Sequence, residues 1–163
     1  MTAFLAVHTA QEVAEVAGLA TEIWYEYYVP IIGRAQVDYM VEKFQSTAAI
    51  NDQIACGYEY FLIEHAGEAV GYLALQSQPA HLFISKFYLL HRMRGTGLGR
   101  ASMEFIETLS RERGLSRLAL TVNKYNPALQ FYVRRGFENC GSVVADIGNG
   151  FVMDDYRMEK RVR

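Results

Sequence analysis

The sequence predicts an α/β domain, a single mixed β-sheet with helices on both faces, and three observations carry that expectation. Apolar residues repeat at helical spacing through the first third of the chain, then give way from Tyr58 to runs of aromatic and β-branched residues at strand spacing. An apolar run ending at Leu90 passes through a glycine-rich turn straight into an amphipathic segment at Leu98: strand, turn and helix in succession. The chain then closes on two apolar runs separated by Gly148-Asn149-Gly150, a hairpin.

Taken in order, Ala3 to His8 reads as a first strand, ended by Thr9 and Glu12 at capping-box spacing. Val13, Val16, Ala17, Ala20, Trp24 and Tyr27 make one apolar stripe of a helix running to about Tyr28, where Pro30 stops it. Val37, Met40, Val41 and Phe44 mark a second helix, and Thr47 to Ala55 a short third. Tyr58 to His65 and Glu68 to Gln76 form a hairpin about Ala66-Gly67, followed by a strand from His81 to Leu90. Leu98, Ala101, Phe105 and Leu109, widened by Met103 and Ile106, give the next helix, which Gly114 closes. Leu115 to Val122 is a strand. Asn126-Pro127 then places a cap and a first-turn proline ahead of a helix from Ala128 to Arg135, with Gly136 as its stop. Phe137 to Ile147 and Phe151 to Met158 complete the closing hairpin.

The chain's 163 residues suit one domain, with no linker, repeat or low-complexity tract. Hydrophobic residues make up 51%, charged residues 21%, and the net charge is −2, with no dense basic run for nucleic acid. No signal sequence or apolar run long enough to span a bilayer is visible, so a cytoplasmic location is expected. Cys56 and Cys140 make no disulfide framework and read as buried or indifferent thiols. The four histidines have no ligand spacing, so no metal is expected.

Chemistry concentrates in Arg94-Gly95-Thr96-Gly97-Leu98-Gly99-Arg100. Three glycines at alternate positions let main-chain N–H groups approach a ligand, the helix dipole adds a positive end, and Arg94 and Arg100 flank it with permanent cations. The stretch reads as a cradle for a diphosphate. A Walker loop needs a lysine after its glycines, and the dinucleotide fingerprint needs a third glycine where Arg100 or Ser102 stands. Both fail on spacing.

What does match is the Arg/Gln-x-x-Gly-x-Gly/Ala signature of the GCN5-related N-acetyltransferases, with Arg94, Gly97 and Gly99 on its fixed positions. Asn126 to Phe137 is similar to the family's Asn-x-x-Ala-x-x-Phe-Tyr-x-x-x-Gly-Phe segment, and the element order is similar over most of the chain. The resemblance implies the acyl-CoA N-acyltransferase fold: a central mixed sheet whose two parallel strands splay apart to receive the pantetheine arm of acetyl-CoA. By that resemblance, main-chain groups of Leu89 bond the pantetheine, the loop of Arg94, Gly95, Thr96, Gly97, Leu98, Gly99 and Arg100 holds the pyrophosphate, and Asn126 contacts the cofactor. Tyr132 is the implied general acid for the departing thiolate, while its neighbour Phe131 takes the core role.

Acetyl transfer to an amine also needs a base, since an alkyl ammonium has a pKa of about 10.4. The strand Phe83 to Phe87 carries no carboxylate. Glu26, Glu59, His81, Asp154 and Asp155 are candidates, none singled out, and a water-mediated route is the expectation. The aromatic and acidic stretch containing Trp24, Glu26 and Tyr27 suits a cationic acceptor: a polyamine, an amino sugar or a protein amine. Homodimerisation is implied by the family alone. A catalytically silent acyl-CoA-binding sensor is the alternative, and the glycine spacing disfavours a dinucleotide-binding oxidoreductase.

Overall fold

A computed structural model describes residues Met1–Arg163. The elements are β1 (Thr2–Ala6), α1 (Ala10–Tyr27), α2 (Val29–Ile32), α3 (Arg34–Phe44), α4 (Thr47–Ala55), β2 (Glu59–His65), β3 (Glu68–Ser77), β4 (Leu82–Leu89), α5 (Leu98–Glu112), β5 (Arg117–Asn123), α6 (Ala128–Arg134), β6 (Glu138–Gly148) and β7 (Phe151–Arg161), with a 3-10 turn at His91–Met93. Hydrogen-bonded neighbours run β1-β2-β3-β4-β5-β7-β6, and β4 with β5 is parallel, so the sheet is mixed as expected. No helix is long and apolar enough to cross a membrane. Contacts cluster into two compact units, Met1–Gln76 with Lys86–Ile106 and Ser77–Ser85 with Glu107–Arg163; β4 and α5 each contribute to both.

In the first unit the opening of α1 follows its sequence. Glu12 N donates to Thr9 Oγ1 at 3.1 Å, while the main-chain N–H groups of Thr9 and His8 donate to Glu12 Oε1 at 2.8 and 2.9 Å. A cap of this kind contributes about 1 kcal/mol. It also explains why β1 stops at Ala6 rather than His8: the His8 N–H belongs to the helix cap. The stripe Val13, Val16, Leu19, Ala20, Ile23 and Trp24 is the buried face. Beyond Tyr28 the chain makes one further turn, α2, with Pro30 in its opening positions, where a missing N–H costs nothing.

Strands β2 and β3 sort their side chains by parity. Phe61 points to α5, where its ring meets Phe105 edge-on at 5.2 Å and Phe4 stacks on Phe105 at 4.4 Å. Tyr60 points the other way, to α4, and donates to Gln53 Oε1 at 2.6 Å. This unit therefore has helices on both faces of its strands. Gly71 of β3 is where β4 comes close: a methyl there would fall 2.8 Å from Leu89 Cδ2 and within contact distance of the Tyr88 carbonyl oxygen.

In the second unit, β5 pairs antiparallel with β7 along its whole length, from Arg117↔Arg161 to Asn123↔Asp155. Strand β7 thus continues past Met158 to Arg161, because its polar end is satisfied there. Lys160 Nζ lies 2.5 Å from Glu107 Oε1, and Glu159 receives Arg157 at 3.2 Å and Arg117 at 3.5 Å. The parallel β4–β5 ladder is short, Leu82↔Leu118 and Phe83↔Ala119, whereas β5 runs on through Thr121 to Asn123. Both cysteines are exposed, contrary to a buried reading: Cys56 caps α4 at its C-terminus and Cys140 lies on the edge strand β6.

Candidate active site

The glycine loop is built for main-chain contact. Gly95 and Gly97 have φ of 74° and 85°, a region that side chains disfavour, and a Cβ on either would project into open space with nothing within 4 Å. Thr96 Oγ1 donates to the Met93 carbonyl at 2.5 Å and Ala101 N to Gly97 O at 3.0 Å, fixing the turn onto the start of α5. Leu98 anchors that start in the core, and no acidic residue occupies the first turn of α5. First-turn N–H groups and a helix dipole are the chemistry that suits an anion. A diphosphate fits this donor set, because the space a Cβ would occupy at Gly95 and Gly97 is clear.

The nearby cations differ in how they are held. Arg100 Nε pairs with Glu104 at 3.2 Å and Arg92 with Glu68, both on exposed side chains, where such pairs contribute at most about 1 kcal/mol. Arg94 instead lays its guanidinium over the ring of Tyr27, 4.2 Å from the centroid. A residue singled out for the acceptor is thereby in contact with one singled out for the cofactor.

Leu89 is the last residue of β4. Leu90 N donates to Val70 O of β3 at 2.9 Å, and successive N–H groups of a strand point to opposite sides, so the N–H of Leu89 faces the edge of β4 away from β3. Gly71 permits that approach of β3 to β4.

The Trp24, Glu26 and Tyr27 grouping divides, because consecutive helical residues point in different directions. Trp24 is core: it stacks on Tyr28 at 4.3 Å and meets Tyr88 edge-on at 5.5 Å. Its indole N–H lies beside the Tyr72 hydroxyl without forming a hydrogen bond, while Tyr72 donates to Gln45 Oε1 at 2.9 Å. Tyr27 is half-buried and Glu26 exposed.

Sequence reasoning missed Lys86. It lies buried on β4, donating to Tyr60 Oη at 2.5 Å, to Gln53 Oε1 at 3.1 Å and to the Phe44 carbonyl. Loss of hydration lowers its pKa to about 7, and burial raises that of Tyr60. The available signal was a lysine inside an otherwise apolar strand.

In the second unit Tyr132 sits mid-helix on α6, 7% exposed, its ring edge-on to Phe137 at 5.6 Å and Phe131 at 5.4 Å. Of that adjacent pair Tyr132 is buried and Phe131 half-buried, so Phe131 is not the more deeply packed of the two, as its expected core role would have it. Asn126 is buried, and its Oδ1 accepts from Ala128 N at 2.9 Å, the bond of a helix cap. Lys124 Nζ lies 2.9 Å from Asp154 Oδ1. Asp155 is buried, its carboxyl accepts from Thr121, and burial followed by the charge of Asp154 raises its pKa to about 6. His81 is held below the usual imidazole range by partial burial and then by Arg157. Among the other base candidates, Glu59 in the first unit is half-buried.

Against known proteins, the model of the acetyltransferase (GNAT) domain matches residues 28–160. An N-acetyltransferase of Bacillus subtilis, YdgE, is 33% identical over 85 residues, 49% of this chain and 54% of that protein. Rv2669 of Mycobacterium tuberculosis, also named an N-acetyltransferase, is 33% identical over 95 residues, 55% of this chain and 61% of its own. The chain thus spans between half and two thirds of the length of these curated relatives. Among solved structures, the PaiA N-acetyltransferase of Thermoplasma acidophilum in complex with coenzyme A superposes with a TM-score of 0.82 at 16% identity, covering 99% of both chains. The ribosomal-protein-S18-alanine N-acetyltransferase of Escherichia coli gives 0.74 at 15% identity, covering 99% of this chain and 94% of its own. Those structures share the fold, and the domain match extends over most of the sequence: this chain belongs to the GNAT acetyltransferase family.

Proposed function

We propose that the protein transfers the acetyl group of acetyl-CoA to a primary amine, by direct attack of the amine while both substrates are bound. The observation that carries this reading is the turn into α5, where Gly95 and Gly97 at positive φ, with open space where a Cβ would stand, lie between Arg94 and Arg100 in the chain. Acetyl-CoA supplies the activated acyl group as a thioester. Within the reading, the residues from Arg94 to Arg100 bind its pyrophosphate, the main chain of Leu89 bonds the pantetheine as a neighbouring strand would, and Asn126 steadies the same arm. Tyr132 Oη donates a proton to the departing sulfur, whose thiol has a pKa of about 8.5. The acceptor is a small-molecule or protein amine.

Titration calorimetry with coenzyme A tests the cradle, with micromolar binding expected. Thiol release from acetyl-CoA in the presence of primary amines tests the transfer, and Tyr132→Phe is expected to slow it by about 10² to 10⁴ with affinity for coenzyme A retained. Absence of coenzyme A binding removes the reading. Binding without acetylation of any amine converts it to that of an acyl-CoA sensor.

A further inference from the structure

Resting on that acetyl-transfer reading, we propose that Asp155 is the general base that takes the proton from the acceptor's ammonium group. Asp155 pairs with Asn123, the last residue of β5, and its carboxyl accepts from Thr121. Ala119, Thr121 and Asn123 share one face of β5 by strand alternation, and the ladder to β4 ends at Phe83↔Ala119. Asp155 therefore stands beside the stretch of β5 that has run past its parallel partner, where the reading lays the acyl arm. Thr121 is exposed while Asp155 is 5% exposed, so the carboxyl lies one side chain beneath an open sheet surface.

The charges around Asp155 leave it without a cation. Lys124 is taken by Asp154, and Arg157 and Arg117 by Glu159. Glu138 pairs across from Glu159 on β6, and partial burial, then the charge of Arg157, depress His81 towards its neutral form against the opposing charge of Glu159. A buried carboxylate with one hydroxyl donor and no counter-charge is costly to the fold and is disposed to accept a proton. Burial and Asp154 bring its pKa to about 6, which leaves it ionised and still basic near neutral pH.

The proton balance is complete with the residues named. The ammonium gives one proton to the Asp155 carboxylate, and the neutral nitrogen attacks the thioester carbonyl. The N–C bond forms and the C–S bond breaks as the sulfur takes the Tyr132 proton. The new amide nitrogen returns its second proton to Tyr132, and Asp155 releases the first to solvent.

The test uses the full chain with acetyl-CoA and spermidine, glucosamine, tyramine and an alanine-initiated peptide, scored by product mass. For an accepted amine, kcat/KM is expected to rise with pH through about 6 as Asp155 ionises. Asp155→Asn is expected to lower it by about 10² to 10⁴ and to abolish that acid limb, with coenzyme A affinity unchanged. An alkoxyamine, already neutral at these pH values, is expected to reduce the defect of Asp155→Asn to a few-fold, whereas a merely structural role would slow both acceptors alike. An equal loss with both acceptors, or an acid limb that survives in Asp155→Asn, overturns the assignment while acetyl transfer by the unaltered protein stands. If the unaltered protein acetylates none of the amines, the acetyltransferase reading itself falls and the assignment with it.

Discussion

The guanidinium of Arg94 rests on the ring of Tyr27, 4.2 Å from its centroid, and so joins the end of α1 to the loop that opens α5. A flexible arginine held in place before its ligand arrives loses less freedom on binding. Tyr27→Leu removes the ring and is expected to weaken coenzyme A binding by about 3- to 30-fold, since such contacts contribute about 0.5–2 kcal/mol. Tyr27→Phe keeps the ring and is expected to bind as the parent does. Calorimetry on the pair, repeated in an Arg94→Ala background where Tyr27→Leu should add nothing further, isolates the contact.

Two glycines serve opposite needs, and alanine separates them. At Gly71 the backbone is unstrained but the space is taken by Tyr88 and Leu89, so Gly71→Ala is expected to push β4 outwards and to cost about 1–3 kcal/mol of stability. At Gly97 the space is open but φ is 85°, so Gly97→Ala is expected to cost about 1–2 kcal/mol and to place a methyl where the diphosphate is proposed to lie. Chemical denaturation should show both losses. Coenzyme A affinity relative to stability should fall further for Gly97→Ala.

Where a local signal decides the structure, the sequence was enough. The Thr9–Glu12 box, the glycines around α5 and the Asn126 cap each act within a few residues, and each element starts where its signal stands. The two motifs also pointed to the fold, because their spacing separates this loop from the Walker and dinucleotide loops that share its strand–turn–helix setting. Long-range relations were illegible. Nothing local places Lys86 under Phe44 and Gln53, or distributes Lys124, Arg157 and Arg117 so that Asp155 is left without a cation. Burial of Tyr132 rather than Phe131 likewise depends on which face of a two-turn helix meets Phe137.

Lys86 gives the fold a pH dependence of defined sign. Its folded pKa of about 7 lies below the ordinary lysine value of 10.5, so between these values the unfolded chain binds more protons. Stability is therefore expected to rise with pH from about 7 to 10, by at most about 1.4 kcal/mol per pH unit. In Lys86→Met that slope should vanish, and the Phe44 carbonyl and Gln53 Oε1 should each lose one of two donors while keeping the bonds from Gln53 Nε2 and Tyr60, costing about 1 kcal/mol at pH 9. Thermal unfolding of both proteins across this range measures the difference.

Asp155 should behave in the opposite sense. Its folded pKa of about 6 lies above the ordinary 3.8, so between these values the folded chain binds more protons and stability falls as pH rises. At pH 8 the buried charge is present in full. At about 1.4 kcal/mol per pH unit its cost has a ceiling of about 3 kcal/mol, with the favourable Thr121 bond already included. Asp155→Asn is therefore expected to melt higher than the parent at pH 8 and to lose that advantage below pH 4. A carboxylate that served only to stabilise the fold would give the reverse at pH 8, so the same variant that should slow acetyl transfer should also make the protein harder to unfold. Paired melting curves at pH 4 and pH 8 decide it, with no acceptor amine required.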